Sequence, residues 1–224
     1  DMYLYRGGSS VGRSSKEQTG TQPPTEALCY QAPSAGTYDF VFQRYSGQTR
    51  TLEFFDTPAT LEYITQAGSI VQPADAAEAL SIGAAFWAEP YPLEVFSSQG
   101  PTSDGRLKPD LVAYDGVSTS TFGLSNERPY LNGGTGFFGT SAAAPHVGGA
   151  AAVLMQRYPS WSNNIIREFI ITTAVDLGAL GPDNAFGYGR LFLPLITPTP
   201  TPSATPTRTP RPATPSATPT RTLT

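Results

Sequence analysis

Histidine and cysteine are almost absent from this chain: its 224 residues contain one of each, His146 and Cys29. A single cysteine excludes an internal disulfide framework. With one histidine beside it, a zinc cluster of Cys and His ligands or a thiol–imidazole pair drawn from separate segments is hard to assemble. A catalytic centre in this chain is therefore carboxylate-based, dependent on His146, or incomplete. Charge is also scarce, at 14% of residues, with 14 Lys and Arg against 18 Asp and Glu. That balance offers no basic surface to attract phosphate backbones or anionic lipid, which argues against nucleic-acid binding. Long apolar runs are missing too. The stretch 142–155 falls short of the eighteen or so residues of a membrane span and contains a histidine.

Glycine and proline are plentiful, at 22 each, and 39% of residues are hydrophobic, enough to bury one or two cores. The composition divides the chain in three, at 1–57, 58–194 and 195–224. From residue 195 onward it is nearly all Thr, Pro, Ser and Ala, with Arg208, Arg211 and Arg221 and no acid. Such a segment buries too little apolar area to offset its ordering entropy, and its prolines favour an extended linker or stalk. Thr/Pro-rich tethers suit a secreted or cell-surface protein, with attachment to a wall or surface through the tail. Without the three tail arginines the remainder carries 11 basic and 18 acidic groups, a net −7.

Residues 1–57 alternate with the two-residue period of a half-buried strand: Tyr38, Phe40 and Phe42 share one face, Leu52 and Phe54 repeat it, and residues 2–4 and 28–30 supply shorter candidates. The pattern predicts a partial antiparallel β-sandwich, with Cys29 as a small buried side chain. The chain opens inside an alternating run without an initiator Met, which suggests a missing upstream portion. Residues 58–194 instead show short uninterrupted apolar runs at 79–85 and 110–114, as strands of a parallel α/β sheet do. One helix is predicted from Ser141 to about Tyr158. A second is capped by Ser162, with a stripe of Ile165, Ile166, Phe169 and Ile170.

Residues 139–147 read GTSAAAPHV, a serine opening a helix of small residues after the glycine-rich approach GGTGFF. A hydroxyl there stands beside free backbone N–H groups, where a developing oxyanion is stabilised, or it simply caps the helix. Pro145 is placed in the first helical turn, and Gly148 and Gly149 are read as close-packing sites against the sheet.

The stretch GTSAAAPHVGG resembles the nucleophile motif of the subtilisin-like serine peptidases, with Ala142 where that family usually has Met and Gly148 where it has Ala. FSSQGPTSDGRLKPDLVA at 96–113 and FGYGRL at 186–191 resemble two further motifs of the family in the same order, and residues 65–87 are similar to the strand that precedes them. The resemblance implies an α/β fold with a parallel sheet. It also implies peptide-bond hydrolysis through an acyl-enzyme on Ser141, with the Ser141 backbone N–H as an oxyanion donor and Gly139, Thr140 and Pro145 as supporting residues. The family draws its aspartate, base histidine and oxyanion asparagine from segments upstream of the serine, and no matching segment precedes Ser141. Asn132 does not match in position. His146, five residues on, lies roughly 140° around the helix from Ser141 and points away.

The chain is thus read as the C-terminal portion of a serine endopeptidase acting on polypeptides, inactive alone, with the sandwich inserted into its catalytic domain. In the family's place, Tyr114 and Asp115 read as a loop change without catalytic meaning. GGTG lacks the lysine of a phosphate-binding loop. No cofactor is implied, although calcium is possible at the acidic turns of Asp104 and Asp183. The alternative function is a secreted non-catalytic β-sandwich binding module or a degenerate protease.

Overall fold

The computed structural model describes residues 1–194 except 18, 22 and 56–60. The predicted tail at 195–224 lies outside the described residues. The chain separates into two compact units, Asp1–Thr57 and Pro58–Thr224.

The first unit is built on strands β1 (Met2–Arg6), β2 (Ser9–Ser14) and β3 (Asp39–Phe42), antiparallel in the order β2-β1-β3. Alternation turns Met2 and Leu4 to one side of β1, where both are buried. This is a single three-stranded sheet, and the second, facing sheet that a sandwich requires is not among the described residues. Two expected strands do not form. Phe54 packs its ring on Phe40 and Phe42, at centroid distances of 4.6 and 5.0 Å, without joining a ladder, and Leu52 is exposed. In the segment 28–30 the half-buried Leu28 reaches over Gly12, so the next side chain, Cys29, is exposed rather than buried.

The second unit pairs β4 (Ile82–Phe86) with β5 (Leu111–Asp115) in parallel, as the uninterrupted apolar runs predict. The glycine-rich segment at 187–191 runs beside β5: the Val112 N–H bonds Gly189 O and the Leu191 N–H bonds Val112 O. Two helices follow, α1 (Thr140–Arg157) and α2 (Asn163–Thr172). α1 packs on both strands and on α2. Its core side, Ala143, Val147, Ala150 and Leu154, meets Ala84, Leu111 and Ala113, and small residues on both surfaces let helix and sheet approach closely. Ser162 caps α2 by accepting the Ile165 N–H, and Ile166 and Ile170 are buried while Ile165 is about half exposed.

Two details of α1 differ from expectation. Pro145 is the sixth residue of the helix, beyond its first turn, so its missing N–H leaves Ser141 O without the usual i+4 donor. Gly148 and Gly149 are exposed, and a Cβ on either would meet nothing within 4 Å. They do not pack on the sheet.

Candidate active site

Ser141 is the second residue of α1, and the helix begins where it does because of Gly139. That glycine is the N-cap, at φ 129° and ψ 154°, a backbone conformation that side-chain-bearing residues rarely adopt. Its carbonyl accepts the N–H of Ala142 at 2.8 Å and of Ala143 at 3.3 Å, which starts the helical ladder. Ala142 and Ala143 are buried, and this places Ser141, one step back around the helix, on the exposed side. Its hydroxyl makes no capping bond. Among the described residues neither that hydroxyl nor the Ser141 backbone N–H has a hydrogen-bond partner. A free nucleophilic oxygen and a free donor thus sit side by side at the positive end of a helix, the arrangement that acyl transfer uses.

His146 does not complete a pair with this serine. Its Nδ1 lies 2.9 Å from Ala142 O, one turn back along its own helix, and its ring stands edge-on to Tyr114 with centroids 5.7 Å apart. The Tyr114 hydroxyl in turn donates to Leu191 O at 3.2 Å and accepts from Arg190, whose guanidinium lies over the Tyr91 ring. His146 therefore ties α1 to β5 and the segment that closes the sheet. Thr140, Gly139 and Pro145 stand beside Ser141 in the same turns of chain, whereas Asn132 is exposed in the short 3-10 turn Tyr130–Asn132.

Two buried acids lie behind the serine, and sequence patterns gave no signal for their role. Asp115, read from the sequence as part of a loop, is the last residue of β5 and is completely buried. Its Oδ1 accepts the Gly139 N–H at 2.8 Å, and its Oδ2 is buried with no partner. Glu94 is buried as well and accepts the Tyr130 N–H through Oε1 at 3.3 Å. Burial pushes the Asp115 carboxyl up to about 7, the nearby Glu94 charge adds to the rise, and the Gly139 N–H opposes it. Burial raises Glu94 too.

The acidic turns considered for calcium have other partners. Asp104 receives the Arg106 Nε on both oxygens, at 2.9 and 2.8 Å, and this bond with that from Thr102 holds its carboxyl down to about 2. Asp183 accepts the backbone N–H groups of Ala179, Ala185 and Phe186. Among the described residues no group of three or more His, Cys, Asp or Glu side chains clusters as a metal site. Among the described residues no helix is long and apolar enough to cross a membrane.

Comparison with known proteins points the same way as the geometry. A family model described as the subtilase family matches residues 10–189, beginning inside the first unit and well upstream of residue 58, where the motif resemblance starts. The chain is 50% identical over 84 residues to an extracellular serine protease of Serratia marcescens, covering 34% of this chain and 8% of that protein. It is 41% identical over 100 residues to the minor extracellular protease Vpr of Bacillus subtilis, covering 42% and 12%. It is 36% identical over 123 residues to the subtilisin Savinase of Lederbergia lenta, covering 55% and 39%. The chain thus spans less than two fifths of each of these relatives.

Proposed function

The chain belongs to the subtilase family, and from that premise we propose that it supplies the nucleophile of a secreted serine endopeptidase. Ser141 attacks the scissile carbonyl of a polypeptide while its proton passes to an imidazole. The Ser141 backbone N–H holds the oxyanion, and water then hydrolyses the acyl-enzyme. The observation that carries this reading is the exposed, unbonded hydroxyl next to an unbonded N–H at the start of α1, within the family's serine motif.

The imidazole comes from a part of the protein beyond this chain, as do the aspartate and a second oxyanion donor. Two observations support that assignment: the one histidine here is engaged with Ala142 and Tyr114, and one side of α1 is uncovered. Met155 is 54% exposed on that side, with the exposed Gly148 and Ala152 beside it. An apolar helix face of this kind is normally buried against further structure. In this reading residues 58–194 form the C-terminal part of the catalytic domain, the antiparallel sheet of 1–57 belongs to an insertion, and the Thr/Pro-rich tail tethers the enzyme outside the cell. The extracellular names of the Serratia and Bacillus relatives support that location. A non-catalytic binding module has no comparable support.

A fluorophosphonate probe applied to the full-length protein tests the proposal. Labelling should map to Ser141 and vanish in Ser141→Ala. A folded full-length protein that stays unlabelled would overturn it.

A further inference from the structure

The segment that leads from β5 to Ser141 is held from beneath by the two buried acids. Glu94 takes the N–H of Tyr130 near the middle of that segment, and Asp115 takes the N–H of Gly139 at its end. No salt bridge among the described residues involves either acid. The Asp115 side chain is completely buried, and the next residue is crowded by aromatic rings: a Cβ added at Gly116 would lie 2.8–2.9 Å from Phe86 and Phe138. A carboxyl in such surroundings costs free energy unless its site gives something in return, and a pair of them with no cation is a poor choice for stability alone.

The geometry accounts for the pair differently. Gly139 lies two residues before Ser141, and its peptide is fixed on both sides. Asp115 holds its N–H, and the first turn of α1 holds its carbonyl. With both ends fixed, the backbone at φ 129° and ψ 154° has one direction in which to send Thr140 and Ser141.

We propose that Asp115, with Glu94 behind it, is a positioning residue for the nucleophile: its carboxylate clamps the Gly139 N–H and so sets the direction in which the Ser141 hydroxyl and N–H are presented. This rests on the reading of Ser141 as the nucleophile. Ionised Asp115 is the stronger acceptor, so the clamp tightens as that carboxyl loses its proton. Glu94 is the titratable group that faces it, and the backbone N–H groups of Gly139 and Gly116 favour its ionised form. The rise caused by burial places this loss near neutral pH.

The test uses the full-length protease with a peptide substrate, measuring kcat and KM against pH. Asp115→Ala should lower kcat on the order of 10²-fold with KM within about twofold, the signature of a misaimed nucleophile with intact substrate binding. Asp115→Asn keeps an acceptor oxygen but cannot ionise. It should restore most of the lost kcat and remove one ionisation from the acid limb, so that the limb depends on one proton fewer than in the wild type. Glu94→Gln should move that ionisation to lower pH. If Asp115→Ala does not fold, the pH profile of Asp115→Asn decides. A wild-type profile retained in Asp115→Asn, or unchanged kcat in a folded Asp115→Ala, overturns the clamp while leaving Ser141 as nucleophile. A wild-type protein that neither turns over substrate nor takes the fluorophosphonate overturns both.

Discussion

Lys108 Nζ lies 2.6 Å from Asp110 Oδ2, with the two side chains only 3% and 8% exposed. The other oxygen of Asp110 receives Arg167 of α2 at 3.0 Å, the Ser81 N–H reaches Oδ2 at 2.7 Å, and Lys108 also donates to Ala79 O. The Lys-Pro-Asp run just before β5 thus joins the entry to β4 and the side of α2. Truncating one partner of a buried pair strands the other charge, at a cost of about 3–5 kcal/mol. Asp110→Ala should lose about that much. The double variant with Lys108→Ala should lose clearly less than the sum of the singles. Urea unfolding followed by tryptophan fluorescence reads this in the second unit, because Trp87 and Trp161 both lie there. Additive losses would show that the pair is not coupled.

Ser141→Ala separates a capping role from a catalytic one by stability alone. A capping hydroxyl is worth about 1 kcal/mol, but this side chain is exposed and unbonded, and Gly139 occupies the cap position. The substitution should change stability by less than about 0.5 kcal/mol. A fall in the urea midpoint equivalent to 1 kcal/mol or more would mean that the hydroxyl holds its own helix.

Gly187 lies where the sheet-closing segment passes the residues that lead into β5. At φ 63°, a Cβ there would lie 2.4 Å from the Asp110 carbonyl carbon and oxygen. Backbone cannot rotate aside as a flexible side chain does. Gly187→Ala should therefore cost about 3 kcal/mol through strain and overpacking, measured in the same unfolding experiment. A near-neutral result would mean that this segment does not lie against β5 as described.

Local signals made part of the fold legible and long-range ones hid the rest. The second helix could be read because its cap, Ser162, and its buried Ile166 and Ile170 are neighbours in sequence. The strands β4 and β5 could be read because burial by other elements removes the polar alternation from a strand. The segment around Leu52 and Phe54 alternates like a strand, yet Phe54 satisfies its pattern by packing its ring at an angle against Phe40 and Phe42, and the alternation of residues carries no information on whether a ladder partner exists. In the candidate site, the motif singled out Ser141, whose side chain is exposed at the start of α1. Asp115 was passed over because its role depends on Gly139, 24 residues later, returning to the end of β5. The same holds for Glu94 and Tyr130, which are 36 residues apart.

Asp115 also sets how stability depends on pH. In the folded chain it keeps its proton up to about pH 7, whereas an unfolded aspartate loses it near about 4. Between those values the folded state binds a proton that the unfolded state does not, so stability falls as pH rises, at most by about 1.4 kcal/mol per pH unit. Below that window both states are protonated and above it both are ionised, and the slope vanishes. Asp104 acts with the opposite sign in a separate window: held down to about 2 by Arg106 and Thr102, it contributes stability that is lost only as pH falls from about 4 toward 2. The two effects therefore do not overlap. Urea midpoints at pH 5, 6 and 7 should decline more steeply for the wild type than for Asp115→Asn, whose neutral amide cannot titrate. Parallel declines in the two proteins would mean that Asp115 is already ionised at pH 5, and that its burial beside Glu94 does not hold the proton.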